Sequence, residues 1–306
     1  MTLAANILER IGNTALTELR RIKPSNGVRI LIKLESENPT GSMKDRMAHA
    51  IIKAAEADGR LRPGGSVVEY TGGSTGVSLA LVCAVKGYPL DIVTSDAFAR
   101  EKLLHMEALG ARLHIIKSES GRMTEKLTRD MIAAAGEIAT QKGSFWADQM
   151  NNRDQLAAYH AMADEIRRDA DGRIDAFVQS VGTAASLHGI SEALRPGGSG
   201  IQIVAVEPAE SAVLSGGPSG AHKIDGIGAG YVIPLWRSDL ADRIERVSTD
   251  EAKAMAQRLA CEEGLFGGTS TGANVVAALR VAEALAAGAT VVTVMCDTGM
   301  KYLSKK

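Results

Sequence analysis

Lys44 lies in the stretch NPTGSMKDR (38–46), after two chain-breaking residues, Pro39 and Gly41, and at the head of a helical run, MKDRMAHAIIKAAEA. Ser42 with Asp45 three residues on has the spacing of a capping box, which predicts the lysine in the first turn. A cation is disfavoured there, because unpaired backbone N–H groups already carry partial positive charge. A lysine so placed and partly desolvated loses its proton more readily, and becomes a usable amine nucleophile or base. The bland alternative is a surface lysine that tolerates the helix end at a cost of roughly 0.3–1 kcal/mol. The rigid NPTGS turn favours the chemical reading, because it aims the lysine at whatever it touches.

Three loops of Gly, Ser and Thr precede helical runs: TGGSTG (71–76), VGTAAS (181–186) and GGTSTG (267–272). Such loops present backbone N–H groups at helix N-termini, where dipole and hydrogen bonds together hold an anion. Any one of them alone would read as a tight turn. Three in one chain predict a ligand with more than one anionic group. GGTSTGAN has the glycine spacing of a P-loop, but Ala273 and Asn274 stand where Lys and Ser/Thr are required, so a triphosphate site is not expected. GIGAG (226–230) is not GxGxxG and follows no strand, which excludes a dinucleotide fingerprint. An amine that condenses with an aldehyde, beside sites for a phosphate and a ring nitrogen, points to pyridoxal phosphate.

The elements that must position these groups alternate. Short apolar runs at 28–34, 67–70, 91–95, 112–116, 176–181, 201–207 and 290–296 read as strands, with helical segments at 98–109, 121–141, 152–168 and 249–263. Nearly continuous apolar strands alternating with helices predict an α/β chain of parallel sheets covered on both faces. The Gly-rich stretch from Ser215 to Gly230 reads as a long functional loop rather than a linker.

At 306 residues the chain suffices for one large or two medium domains. Its net charge of −1 offers no field for nucleic acid or acidic lipid, and 4% aromatics leave little for base stacking. Cys83, Cys261 and Cys296 are odd in number and far apart, so neither a disulfide framework nor a zinc site is expected, and each reads as a buried thiol. The six histidines show no HExxH and no cluster, so no metal is expected. REKLLHME (100–107) reads as the solvated face of a helix. Charged residues at Glu9 and Arg10 come too early for a signal-peptide core, and a cytoplasmic location is the default.

Taken together, the motifs resemble the cysteine synthase (O-acetylserine sulfhydrylase) and cystathionine β-synthase family, of the tryptophan-synthase-β type fold. The resemblance runs from IGNTALTEL (11–19) to DTGMKYLS (297–304), and neither a regulatory domain nor a haem-binding extension is expected. It implies two domains, each a mostly parallel twisted sheet covered by helices, over residues 1–147 and 148–306. An N-terminal segment is expected to cross to the other domain, and the active site to lie in the cleft between the two. By resemblance, Lys44 is the Schiff-base lysine. Thr71, Gly72, Gly73, Ser74 and Thr75 form the substrate-carboxylate loop, with Gln149 from DQMNN and Gly226 beside the substrate. Gly182, Thr183, Ala184, Ala185 and Ser186 form the phosphate cup, and Ser270 partners the pyridine nitrogen; Ser74 also contacts the cofactor.

The departures are specific. Ser74 and Gly72 replace an asparagine and a serine of the family's carboxylate loop, and Ala184 and Ala185 replace two glycines of its cup. Backbone donors survive the alanines, provided that neither position needs positive φ. CDTG (296–299) stands where sulfhydrylases show Pro-Ser-Ser-Gly. The resemblance implies β-replacement on an activated serine, with O-acetylserine and sulfide giving cysteine and acetate. Ser270, being neutral, favours replacement over transamination. Cystathionine, β-cyanoalanine or 2,3-diaminopropionate synthesis stays open, as does a non-catalytic homologue that binds a partner. The family also implies a homodimer and the tail of serine acetyltransferase as a partner.

Overall fold

The computed structural model describes residues 3–119, 121, 124–195 and 200–303. Its strands are β1 (Leu16–Glu18), β2 (Arg29–Leu34), β3 (Val67–Tyr70), β4 (Leu90–Ser95), β5 (Arg112–Ile116), β6 (Phe145–Trp146), β7 (Ala176–Ser180), β8 (Gln202–Pro208), β9 (Arg243–Val247) and β10 (Thr290–Met295). Its helices are α1 (Lys44–Ala57), α2 (Ser74–Lys86), α3 (Arg100–Ala108), α4 (Glu125–Lys142), α5 (Leu156–Asp169), α6 (Ala185–Leu194), α7 (Thr249–Arg258) and α8 (Thr269–Glu283). The seven apolar runs read from the sequence are all strands. Of the segment expected to be helical at 121–141, residues 122 and 123 lie outside the described residues, as does Ser304 at the end of the resemblance.

Two compact units form. The first spans the described residues of Met1–Ile11, Lys44–Gln155 and Lys301–Lys306, and the second spans Gly12–Met43 and Leu156–Met300. The first holds a four-stranded sheet, ordered β5-β4-β3-β6 and parallel throughout. The second holds a six-stranded sheet, ordered β1-β2-β10-β7-β8-β9, parallel except for the β1–β2 pair. Every residue of β3, β4, β7 and β10 is buried, which is why those strands read as nearly continuous apolar runs.

The strands not foreseen carry no such signal. β9 is RIERV, an edge strand whose Arg243 and Arg246 face outward, and β6 has two residues. In the first unit Val68, Tyr70, Val93, Leu127 and Met131 pack together between the sheet and α4. In the second, Ile30, Ile32, Val178, Val204 and Val291 pack with the apolar faces of α7 and α8. Burial on this scale contributes roughly 1.5–3 kcal/mol per large aliphatic side chain.

Two expectations fail locally. Cys261 is exposed, on a π-helical turn over Leu259–Glu263 that follows α7, whereas Cys83 and Cys296 are buried. The solvated reading of 100–107 misses Lys102, which is buried with its Nζ 4.3 Å from the centroid of the Tyr302 ring. Among the described residues, no helix is long and apolar enough to cross a membrane, and no cluster of His, Cys, Asp or Glu could hold a metal.

Candidate active site

Helix capping differs between elements, and α3 has no side-chain cap but carries Glu101 in its first turn. α4 is capped by the Thr124 hydroxyl, and α7 by a full capping box between Ser248 and Glu251. α2, α6 and α8 have no side-chain cap, and no acidic residue stands in the first turn of any of them. Those three N-termini keep backbone donors and positive dipole ends for something other than their own side chains.

The turn before Lys44 is built within the second unit. Gly41 has φ +73°, and a Cβ there would lie 2.6 Å from Thr298 Cγ2, so only glycine fits. Thr298 N–H donates to Gly41 O at 2.9 Å, and Met43 N–H to Cys296 O at 2.9 Å. Asn38, buried, accepts Gly12 N–H at 2.8 Å and donates to Glu35 Oε2 at 2.8 Å. Ser42 forms an isolated backbone bridge with Asp297, and α1 begins at Lys44, which the capping-box spacing places in the first turn.

Lys44 is therefore the first residue of α1, half-buried, in the first unit. Its neighbour Asp45 accepts the Ser78 hydroxyl at 2.6 Å and ties the head of α1 to α2, along which it packs.

α2 carries the 71–76 loop in the same unit. Thr71 Oγ1 accepts Gly73 N–H at 3.1 Å, and Gly76 N–H donates to Gly73 O at 3.2 Å. A Cβ on Gly72 would overlap the ring of Phe98, and one on Gly76 would lie 2.7 Å from Met106 Sδ. Ser74 Oγ accepts from Nζ of Lys301, a residue only 7% exposed, at 3.3 Å.

Thr75 Oγ1 donates to Gln149 Oε1 at 2.7 Å, so the structure brings the expected glutamine onto the expected loop. Gln149 Nε2 donates to Tyr70 O at 3.3 Å, and its main chain is held by Glu69 Oε2 at 3.0 Å and Gln155 Nε2 at 2.8 Å.

The 181–186 turn lies in the second unit, between β7 and α6. A Cβ on Gly182 would lie 2.5 Å from Gly226 O, so backbone rather than side chain forms that wall, and Gly226 is packed against the cup. Gln179 Nε2 donates to Ser186 Oγ at 2.9 Å. Ala184 does need positive φ. It is the N-cap of α6 at φ +66°, ψ −13°, against the proviso under which its methyl would be harmless. An L-residue held there costs of order 1–2 kcal/mol.

Ser270 is the second residue of α8, 5% exposed. Asn274, fully buried, anchors that helix end to the sheet: its Oδ1 accepts Ser180 N–H at 2.7 Å, and its Nδ2 donates to Val294 O at 2.8 Å. Gly272 serves packing rather than anion binding, since a Cβ there would overlap the Ala252 carbonyl of α7.

The loop that supplies Gly226 is strapped rather than regular. Glu207 accepts Leu214 N–H at 2.8 Å, Thr249 Oγ1 accepts Lys223 N–H at 3.0 Å, and Thr269 Oγ1 accepts Asp225 N–H at 3.1 Å.

These donor sets suit a phosphorylated pyridine aldehyde. The uncapped cup at α6 can take a dianionic phosphate, the neutral Ser270 hydroxyl can meet an uncharged ring nitrogen, and Lys44 offers the amine. Sequence reasoning missed Phe98, Lys301 and Glu69. For Glu69 a signal existed, since a carboxylate in the apolar run VVEY is unexpected unless something there needs it.

The chain matches, over residues 7–297, the family described as pyridoxal-phosphate dependent enzyme. It is 38% identical over 301 residues to a cysteine synthase of Staphylococcus aureus, covering 98% of this chain and 95% of that one. The crystal structure of O-acetyl serine sulfhydrylase isoform 3 from Entamoeba histolytica superposes with a TM-score of 0.93 at 39% identity, over 99% of this chain and 91% of that one. That of an O-ureido-L-serine synthase gives 0.93 at 34% identity, over 99% and 94%. The chain belongs to the pyridoxal-phosphate-dependent enzymes, in the cysteine synthase family.

Proposed function

We propose that the chain catalyses β-replacement on an activated L-serine, with O-acetylserine and sulfide giving cysteine and acetate. The observation that carries this reading is the placement, in one compact unit, of Lys44 at the head of α1 and the uncapped 71–76 loop at the head of α2, tied by Asp45 and Ser78. Bound pyridoxal phosphate supplies the electron sink for bonds at the substrate Cα. The chain supplies the rest. The loop of Thr71, Gly72, Gly73, Ser74 and Thr75, with Gln149, orients the substrate carboxylate. Lys44 Nζ takes the Cα proton and returns it, the Cβ–O bond breaks as acetate leaves, and a Cβ–S bond forms. Gly182, Thr183, Ala184, Ala185 and Ser186 hold the phosphate, and Ser270 meets the ring nitrogen without protonating it.

A second reading concerns the other substrate. Phe98 fills the space of a side chain at Gly72, which removes a hydroxyl from the carboxylate loop. That change favours a different leaving group or nucleophile: homocysteine to cystathionine, cyanide to β-cyanoalanine, or ammonia to 2,3-diaminopropionate. Likeness to cysteine synthases further supports a cytoplasmic homodimer able to receive the tail of serine acetyltransferase. A non-catalytic role is disfavoured by the retained Lys44 and Ser270.

The test is the visible spectrum of the purified protein titrated with O-acetylserine, followed by sulfide. A band that shifts with the amino acid and returns with sulfide, with cysteine released, supports the assignment. Return only with another nucleophile selects the second reading, and a colourless protein that takes up no cofactor overturns both.

A further inference from the structure

Glu69 is the third residue of β3, 0% exposed, in a strand otherwise apolar. A buried carboxyl costs several kcal/mol unless its oxygens are used. Here both are used, and on main-chain donors: Oε1 accepts Tyr70 N–H at 2.9 Å, and Oε2 accepts Gln149 N–H at 3.0 Å. The second bond takes over where the sheet stops. The β3–β6 ladder runs through Val68↔Trp146, and Ala147 N–H still reaches Val68 O at 3.1 Å. The chain then turns at Asp148, which has φ +45°, and the next amide leaves the plane of the ladder. Glu69 catches that amide with its side chain.

Gln155 Nε2 holds the Gln149 carbonyl at 2.8 Å, so both main-chain groups of Gln149 are fixed by side chains. Its carboxamide then donates to Tyr70 O and accepts the Thr75 hydroxyl in the first turn of α2.

We propose that Glu69 is a positioning residue for amino-acid binding: through Gln149 and Thr75 it sets the geometry in which the 71–76 loop receives the substrate carboxylate. The inference rests on the carboxylate-loop reading given above. Burial supports the choice of an acid whose charge is costly, since it raises the Glu69 pKa to about 8, against the two backbone donors.

Glu69→Gln is isosteric but turns one acceptor into a donor that faces a backbone N–H. In the cofactor-loaded protein, hydrogen exchange over residues 147–152 is expected to quicken at least tenfold, with the cofactor band retained. The KM for O-acetylserine should rise at least tenfold, with the KM for sulfide and kcat within threefold. Gln149→Ala should raise the amino-acid KM similarly, and E69Q added to it should raise it no further, because both act through one contact. An amino-acid KM within twofold of wild type, multiplicative effects in the double variant, or unchanged exchange at Gln149 overturns the proposal. Should E69Q not fold, Glu69→Asp, which keeps the carboxyl and shortens its reach by one methylene, carries the same comparisons. If wild type ignores O-acetylserine, the substrate reading falls. Exchange at Gln149 still decides the tether: faster exchange in E69Q upholds it, and unchanged exchange overturns it.

Discussion

The ring of Phe98 occupies the space that a side chain at Gly72 would need. The two residues are 26 positions apart and make one wall of the loop at the head of α2. Gly72→Ser should therefore push the ring aside, cost roughly 1–3 kcal/mol of stability by overpacking, and raise the amino-acid KM. In Gly72→Ser/Phe98→Ala the ring is gone, and thermal stability and KM should both recover relative to Gly72→Ser alone. Additive losses in denaturation and steady-state kinetics would show that the pair does not interact.

Ala184 holds a left-handed conformation at the phosphate turn. Ala184→Gly removes a Cβ penalty of order 1–2 kcal/mol but loosens the unfolded chain by about 0.4–1 kcal/mol. A net gain of about 0.5–1 kcal/mol is expected, with slower loss of cofactor on dialysis. Urea denaturation and the visible band check both.

Lys44→Ala should leave the fold intact, because Asp45 keeps its bond to Ser78. Turnover should fall by roughly 10²–10⁴ or more, the range for losing a positioned acid–base group, and the native cofactor band should be absent. Full turnover in the variant would remove the lysine from the reaction.

The Glu69 carboxyl titrates at about 8 in the fold, raised by burial, against an ordinary 4.5 in the unfolded chain. Between those values the folded state binds the extra proton, so stability falls as pH rises from about 4.5 to about 8 and levels above it. The slope from this group approaches about 1.4 kcal/mol per pH unit at its steepest. Denaturation of wild type and Glu69→Gln over that range should show the difference between them shrinking in this sense. A pH-independent difference would mean that Glu69 is ionised throughout.

Asn274→Ala strands Ser180 N–H and the Val294 carbonyl at the ends of two central strands. Two unsatisfied buried groups at about 1–3 kcal/mol each predict a loss of roughly 2–6 kcal/mol in chemical denaturation. A loss below about 1 kcal/mol would show that water replaces the carboxamide.

What could be read from the residues in order was whatever is written locally. β7 and β10 were visible because strands buried on both faces become nearly continuous apolar runs, and the three uncapped loops because Gly, Ser and Thr cluster before helical periodicity. The place of Lys44 at a helix start, and of those loops at helix N-termini, was legible for the same reason. The bridge from Ser42 to Asp297, some 255 positions away, was not. Nor were Phe98 against Gly72, Gly226 against Gly182, or Glu69 on the Gln149 amide. Each is a contact between segments remote in sequence, set by strand order and by where a ladder ends, and no periodicity along the chain carries that information. The sign of φ at Ala184 belongs with them: residue type sets only a preference, and packing around the turn decides which conformation is held.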